Sequence, residues 1–353
     1  MESEGYFEEP TSNLAWHEHI RLRPGMYVGT VNTKGLVDLL KGLANAIITT
    51  TSSDRFTIEL SENLAVSISF NNYQKASFSN WGYFSTHPYD HFRFEACILN
   101  ALSKEFRTTY FNSEREIVAE HTFAEGKPVR DDQAKTIDYT GCEITFVLDE
   151  RVWGEAFAIN TNFLTHELRE YAYLFKQTRF AVAYREGSDN RRYVYHFQQG
   201  LKDRVDIEAL KGVRSTMVIE QKLDGLYLDL AFTFHLYPVE SLYLKSFVNN
   251  TPSLRHGSHL KGLLKGLATG FTQYVERSQL ARDFNISENE VQEILVAAMN
   301  VKLDRPVYRD SMKSVLDNPE IVEPVSKLVA EKLLEEMSGN EALASQLIRK
   351  FET

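Results

Sequence analysis

Few residues in this chain have both the type and the spacing to do chemistry. His87 and His91 bracket Asp90, with Cys97 a little further on. The set mixes nitrogen, oxygen and sulfur donors, but the histidine spacing lacks a third ligand and Cys97 falls beyond it on a helix. No metal site is expected there. His256 and His259 stand beside Gly257 at a helix start. Near the N-terminus, "HEHIRLRPGMYVGT" (17–30) sets Arg21 and Arg23 around Leu22, ahead of Pro24-Gly25. Proline fixes one backbone dihedral and glycine relaxes the next, so the pair marks a sharp bend.

The elements that must position these residues follow from periodicity. Leu36, Leu39, Leu40, Leu43, Ala44 and Ile47 recur at helical spacing, and the Thr/Ser run 49–53 ends that helix. "RFTIELSENLAVSISF" alternates apolar and polar residues around Ser-Glu-Asn and predicts a β-hairpin. "NNYQKASFSNWGYFSTHPYDH" reads as loop, and "FRFEACILNALSKEF" as helix. Short strands alternate with turns from Arg107 to Leu148, "NFLTHELREYAYLFK" is a helix, and "RFAVAYREGSDNRRYVYHF" is a hairpin. The order predicts an α+β layer, with helices on one face of a mixed sheet. A second unit starts near Gly200. "STMVIEQKLDGLYLDLAFTFHL" and "LYLKSFVNN" read as strands, "GSHLKGLLKGLATGFTQYVER" as a long helix, and the C-terminal stretch as helical.

Composition narrows the function classes. The 353 residues fit about two domains. No run of about 20 apolar residues occurs, so no membrane span or membrane partner is expected. The acidic start "MESEGYFEEPTSN" is no secretory signal, and the only two cysteines, Cys97 and Cys142, read as lone buried thiols in a reducing compartment. The expected location is the cytoplasm. The net charge of -10 disfavours DNA as a partner, although a local basic patch inside an acidic whole is compatible with it. Glu-rich helix ends such as "EKLLEE" read as solvated faces.

Four segments together resemble one family. "RLRPGMYVGT" looks like the N-terminal signature of the type II topoisomerase ATPase subunit, as in the B-subunits of DNA gyrase and topoisomerase IV. "LNALSKEF" (99–106) resembles its "VNALS" helix, "SFVNNTPSLRHGSHLKGL" (246–263) its "FVNNI…GGTH…GF" segment, and "VKLDRPVYRDSMKS" (301–314) its "VKvpnPqFegQTK" loop. The resemblance implies an N-terminal arm (1–13), a GHKL (Bergerat) α/β sandwich (14–205) and a transducer-like domain of ribosomal-protein-S5-domain-2-like fold (206–353). No TOPRIM domain is expected, because the chain stops before it, so the chain alone is not expected to cut DNA.

Carried over residue by residue, the resemblance implies a degenerate nucleotide site. The family's helix reads "E-x-x-D-N", with a general-base Glu and a magnesium-binding Asn on one face. Here Lys41 stands at the base position and Asn45 at the metal position. The adenine-reading "D-x-G-x-G" is met by Phe70, Asn71 and Asn72, and the "TGT" threonine by Cys142. The glycine lid "GGLHGVG" corresponds to "YDHFRFE" (89–95), with Arg93 and Glu95 where bare backbone should wrap phosphate. Tyr6 matches the arm tyrosine that reaches a partner subunit's nucleotide. Lys313 of "SMK" matches the lysine that contacts the terminal phosphate, with Ser311 in place of glutamine; it equally fits an exposed loop lysine. His259 matches a histidine that packs near the domain junction. The vestigial nucleotide contacts are thus Asn45, Lys313 and Tyr6, with Asn45 the vestigial magnesium position and no catalytic residue.

The expectation is a pseudo-ATPase that needs no cofactor and serves as an interaction or regulatory module, as a homodimer or a heteromer with a type II topoisomerase subunit. The alternatives are a divergent subunit with weak ATPase activity, using ATP, Mg²⁺ and another carboxylate such as Glu95, and a DNA-binding clamp that needs no nucleotide.

Overall fold

A computed structural model describes residues 14–61, 64–72, 92–132, 140–186, 189–209, 215–236, 242–278, 286–310 and 312–351. The chain forms two compact units, Met1–His196 and Phe197–Thr353.

The first unit opens with α1 (Trp16–Leu22) and the short α2 (Gly25–Val28), then α3 (Thr33–Thr51) and the hairpin β1 (Arg55–Ser61) and β2 (Ala65–Asn71). After α4 (Phe92–Ala101) come β3 (Ser103–Phe111), β4 (Ile117–Ala124), β5 (Lys127–Asp132) and β6 (Gly141–Leu148). The unit ends with α5 (Glu150–Trp153), α6 (Thr161–Ala172), β7 (Arg179–Glu186) and β8 (Asp189–Tyr195). The strands form one eight-stranded sheet in the order β5-β4-β3-β6-β2-β1-β7-β8, antiparallel except for β1–β7. α4 packs on β3, β4 and β6, α6 packs on β7 and β8, and α3 lies against both helices. That layer covers one face of the sheet and explains the alternation of buried side chains: Phe56, Ile58 and Leu60 on β1, Val66, Ile68 and Phe70 on β2, Cys142, Ile144 and Phe146 on β6.

The expected bend is a break between two helices. α1 ends at Arg23, whose φ of -132° and ψ of 57° leave the helical region, and Pro24 (φ -59°) starts α2. One expectation is corrected. "LNALSKEF" does not continue as helix, because α4 stops at Ala101 and β3 begins at Ser103. Its local composition suits a helix, but Phe106 and Arg107 pair with Phe146 and Thr145 on β6 and with Phe123 and Thr122 on β4, and tertiary pairing overrides local propensity.

The second unit contains α7 (Leu201–Glu208), β9 (Met217–Leu223), β10 (Leu226–Phe234), β11 (Leu244–Val248), β12 (Thr251–Pro252), α8 (Ser258–Arg277), α9 (Glu288–Ile294), β13 (Leu295–Leu303), α10 (Val322–Gly339) and α11 (Glu341–Ile348). Its sheet runs β12-β11-β13-β10-β9, parallel only at β11–β13. The boundary read from sequence, 205/206, falls inside α7, which packs on β10 and β13 of this unit. β10 and β13 are buried almost end to end. α8 carries Gly262, Gly266 and Gly270 four residues apart, on the face that meets α10. A Cβ at Gly266 would lie 2.5 Å from the Ser326 carbonyl oxygen and 2.7 Å from Val329 Cβ. Glycine is thus what lets the two backbones approach so closely.

Candidate nucleotide site

α3 is the element on which the site depends. Asn32 caps it, its Oδ1 accepting from the Lys34 and Gly35 amides at 2.9 and 3.3 Å. Its Leu, Val and Ile side chains turn into the core. That leaves a stripe of exposed or half-buried positions: Asp38, Lys41, Gly42, Asn45, Ala46 and Thr49. Lys41 and Asn45 therefore share one face, as the four-residue spacing requires. The family's Asp position is Ala44, fully buried.

Lys41 does not stand as an isolated cation. Its Nζ donates to Glu167 Oε2 on α6 at 2.5 Å and lies 3.9 Å from Asp38 Oδ1. The Lys41 side chain is 14% exposed, so the pair is well shielded from water. Glu167 was not legible as a site residue, since 126 positions separate the partners.

Beside them, α4 brings Glu95 against bare α3 backbone. A Cβ on Gly42 would fall 2.8 Å from Glu95 Oε1, so Gly42 provides the room in which this carboxylate lies. Burial, helped by the negative charge of Glu95, pushes the Tyr171 phenol of α6 well up.

Where the resemblance sets the adenine-reading position, the strand end is used for structure. Phe70 is buried and pairs across with Phe56 on β1 and Cys142 on β6. Asn71 Nδ2 donates to Asp54 at 2.7 Å, and its Oδ1 accepts the Arg55 amide at 3.1 Å. Asn72, with φ of 61°, donates to the Ser52 carbonyl at 3.0 Å. Both asparagines thus tie β2 to the α3–β1 connection. Cys97 and Cys142 are buried thiols with no disulfide between them, and burial raises the Cys142 thiol well above its ordinary range.

The arginine motif is also structural. Arg21 donates to the Ala101 carbonyl at 2.8 Å and to Asp149 Oδ2 at 2.5 Å, and Arg151 Nη2 donates to the same oxygen at 2.7 Å. Asp149 is fully buried. Burial alone would raise its carboxyl, but the hydrogen bonds from Arg151 and Arg21 outweigh that and hold it well below the usual range. Arg23 is exposed.

Lys313 lies in the second unit, exposed, with a left-handed φ of 54°. His256 Nδ1 is 2.8 Å from Ser246 Oγ. His259 is fully buried on α8, and burial, with His256 close by, pushes its imidazole down to about 3. Tyr6, His87, Asp90, His91 and Ser311 lie outside the described residues, as do residues 89–91 of the lid segment. Among the described residues no group of three His, Cys, Asp or Glu could hold a metal ion, and no helix is long and apolar enough to cross a membrane.

Fold and sequence together are similar to one class: the ATPase region of type II topoisomerase B-subunits. The family model described as DNA gyrase B matches residues 191–352. Curated relatives include the B-subunit of DNA topoisomerase 4 from Staphylococcus epidermidis, 23% identical over 98% of this chain and 56% of the relative, and that of Staphylococcus aureus, 24% identical over the same shares. The chain spans about half the length of these relatives. Among solved structures, the 43K ATPase domain of Thermus thermophilus gyrase B superposes with a TM-score of 0.76 at 20% identity, over 95% of this chain and 93% of that one. The gyrase B-subunit of Myxococcus xanthus gives 0.78 at 19% identity, over 95% and 99%. These likenesses show that the chain has the fold of the gyrase B ATPase-domain structures, with a large mixed sheet.

Proposed function

We propose that this chain is a gyrase-B-like module that no longer hydrolyses ATP and works by interaction, as a homodimer or with a type II topoisomerase subunit, on that enzyme or on DNA in the cytoplasm. The 206–353 region serves as its transducer. The observation that carries this reading is the Lys41–Glu167 pair. A charged ammonium takes no proton from water, and here it is held by a carboxylate that is thereby spent on neutralising it. Phe70 and the Asn71–Asp54 hydrogen bond support it, since the adenine-reading position is given to packing and to a loop staple. Asn45 would be left as a vestigial magnesium position, with Lys313 and Tyr6 as vestigial phosphate and partner contacts.

A second reading is favoured by Glu95. Its carboxylate lies against Gly42, beside Lys41 on the same stripe of α3, where it could serve a divergent, weak ATPase that binds ATP and Mg²⁺. Calorimetry with a non-hydrolysable ATP analogue and Mg²⁺, alongside a phosphate-release assay, separates the two. The first reading expects no release above the blank; micromolar binding with turnover overturns it. If turnover is seen, Glu95→Gln should abolish it, and absence of binding at millimolar nucleotide removes the second reading.

A further inference from the structure

The sheet of the first unit ends in the β7–β8 hairpin, and residues 176–196 carry five Lys/Arg against two Asp/Glu in a chain whose net charge is -10. Register sorts these charges by face. Phe180 pairs with Phe56 and Tyr195, and Val182 with Ile58 and Tyr193, on the face that α6 covers. The neighbouring positions fall on the opposite face: Arg55 beside Arg179, Arg192 across from Ala183, and Arg185 two residues further along β7. All four arginines are exposed. Ala181 and Ala183, the small residues between them on β7, are buried.

Two of the four charges are balanced in part. Arg55 Nε lies 3.5 Å from Asp54, and Arg185 lies 3.4 Å from Glu59. No ion pair engages the Arg179 or Arg192 side chain among the described residues. Arg55 and Arg179 are directly opposite on adjacent strands. Like charges facing each other across strands repel, and Asp54 beside Arg55 offsets this only in part.

We propose that this arginine-lined face at the β7–β8 edge docks the phosphate backbone of duplex DNA. From Arg179 to Arg185 the strand extends roughly 20 Å, along which each strand of a duplex offers one charge about every 3.4 Å. The hairpin's aromatic rings, Tyr193 and Tyr195, lie on the helix-covered face, so among the described residues of β7 and β8 no ring stands on the arginine face for unpaired bases to stack on. Backbone contact with a duplex is what remains, and guanidinium forks suit phosphate oxygens. The inference extends the DNA arm of the proposed function and does not involve the nucleotide site, so calorimetry with ATP can give either outcome without affecting it.

The test is fluorescence anisotropy of a labelled linear duplex with the full chain across a salt titration. R179E/R192E is compared with K327E/R349E, which makes the same net charge change at exposed positions on the second unit. Circular dichroism checks that both fold. The expected result is duplex binding at low salt that R179E/R192E weakens about 10-fold or more, with the slope of log K against log salt reduced by about 2, while the control keeps the wild-type slope. No binding by the wild type at low salt overturns the proposal. So does equal weakening by both double variants, or tighter binding of single-stranded DNA, duplex RNA or polyglutamate than of duplex DNA.

Discussion

Asp149 holds a fully buried carboxylate between Arg21 and Arg151. Removing one partner of a buried pair leaves the other uncompensated, so Asp149→Ala should cost roughly 3 kcal/mol, read from urea unfolding followed by far-ultraviolet circular dichroism. Its pH dependence has a definite sign. The folded carboxyl titrates below the unfolded one, so its stabilisation is complete above about pH 4 and is lost as pH falls from there through the folded value. His259 works in a different window. The unfolded imidazole takes up its proton near 6.5 and the folded one only near 3, so the unfolded state binds more protons between them and stability falls as pH drops through that interval. His259→Leu should flatten the unfolding midpoint between those two pH values; an unchanged slope would refute this reading of His259. Lys41 and Asn45 were legible as face-sharing residues because helical spacing is local. Glu167 was not, because nothing in the sequence near Lys41 names its partner.

At the scale of elements, the α8–α10 contact rests on absent side chains. Alanine at Gly266 would gain about 1 kcal/mol of helix propensity but push into the Ser326 carbonyl and Val329, so a net loss of about 2 kcal/mol is expected. A urea midpoint at or above that of the wild type would show that α10 shifts freely. The same scale shows where periodicity misled. Ala101–Phe106 reads as a helix by composition, yet β6 and β4 supply partners on either side and convert it to strand from Ser103.

For the whole molecule, two units with separate cores make a prediction about coupling. Asp149 and Gly266 share no partner among the described residues, so the costs of Asp149→Ala and Gly266→Ala should add within about 0.5 kcal/mol in the double variant. A larger interaction energy would show that the units stabilise each other. Net charge is also a whole-molecule property, and it hid the β7–β8 arginines. An average of -10 says nothing of which side of a sheet carries Arg179 and Arg192.

By itself the sequence determined the elements whose signals are local: the α3 stripe, the β1–β2 and β7–β8 hairpins and the four segments that resemble a B-subunit ATPase region. Through that resemblance it assigned lysine and phenylalanine to the expected base and adenine-acceptor positions. Only the tertiary structure decided what these and the neighbouring residues contact. Lys41 meets Glu167, Asn71 ties β2 to Asp54, Arg21 serves a buried aspartate, and Arg55 lines up with Arg179. Each of these depends on two segments that the fold brings together, and pairing across the chain is set by sheet register and helix packing, which no local pattern encodes.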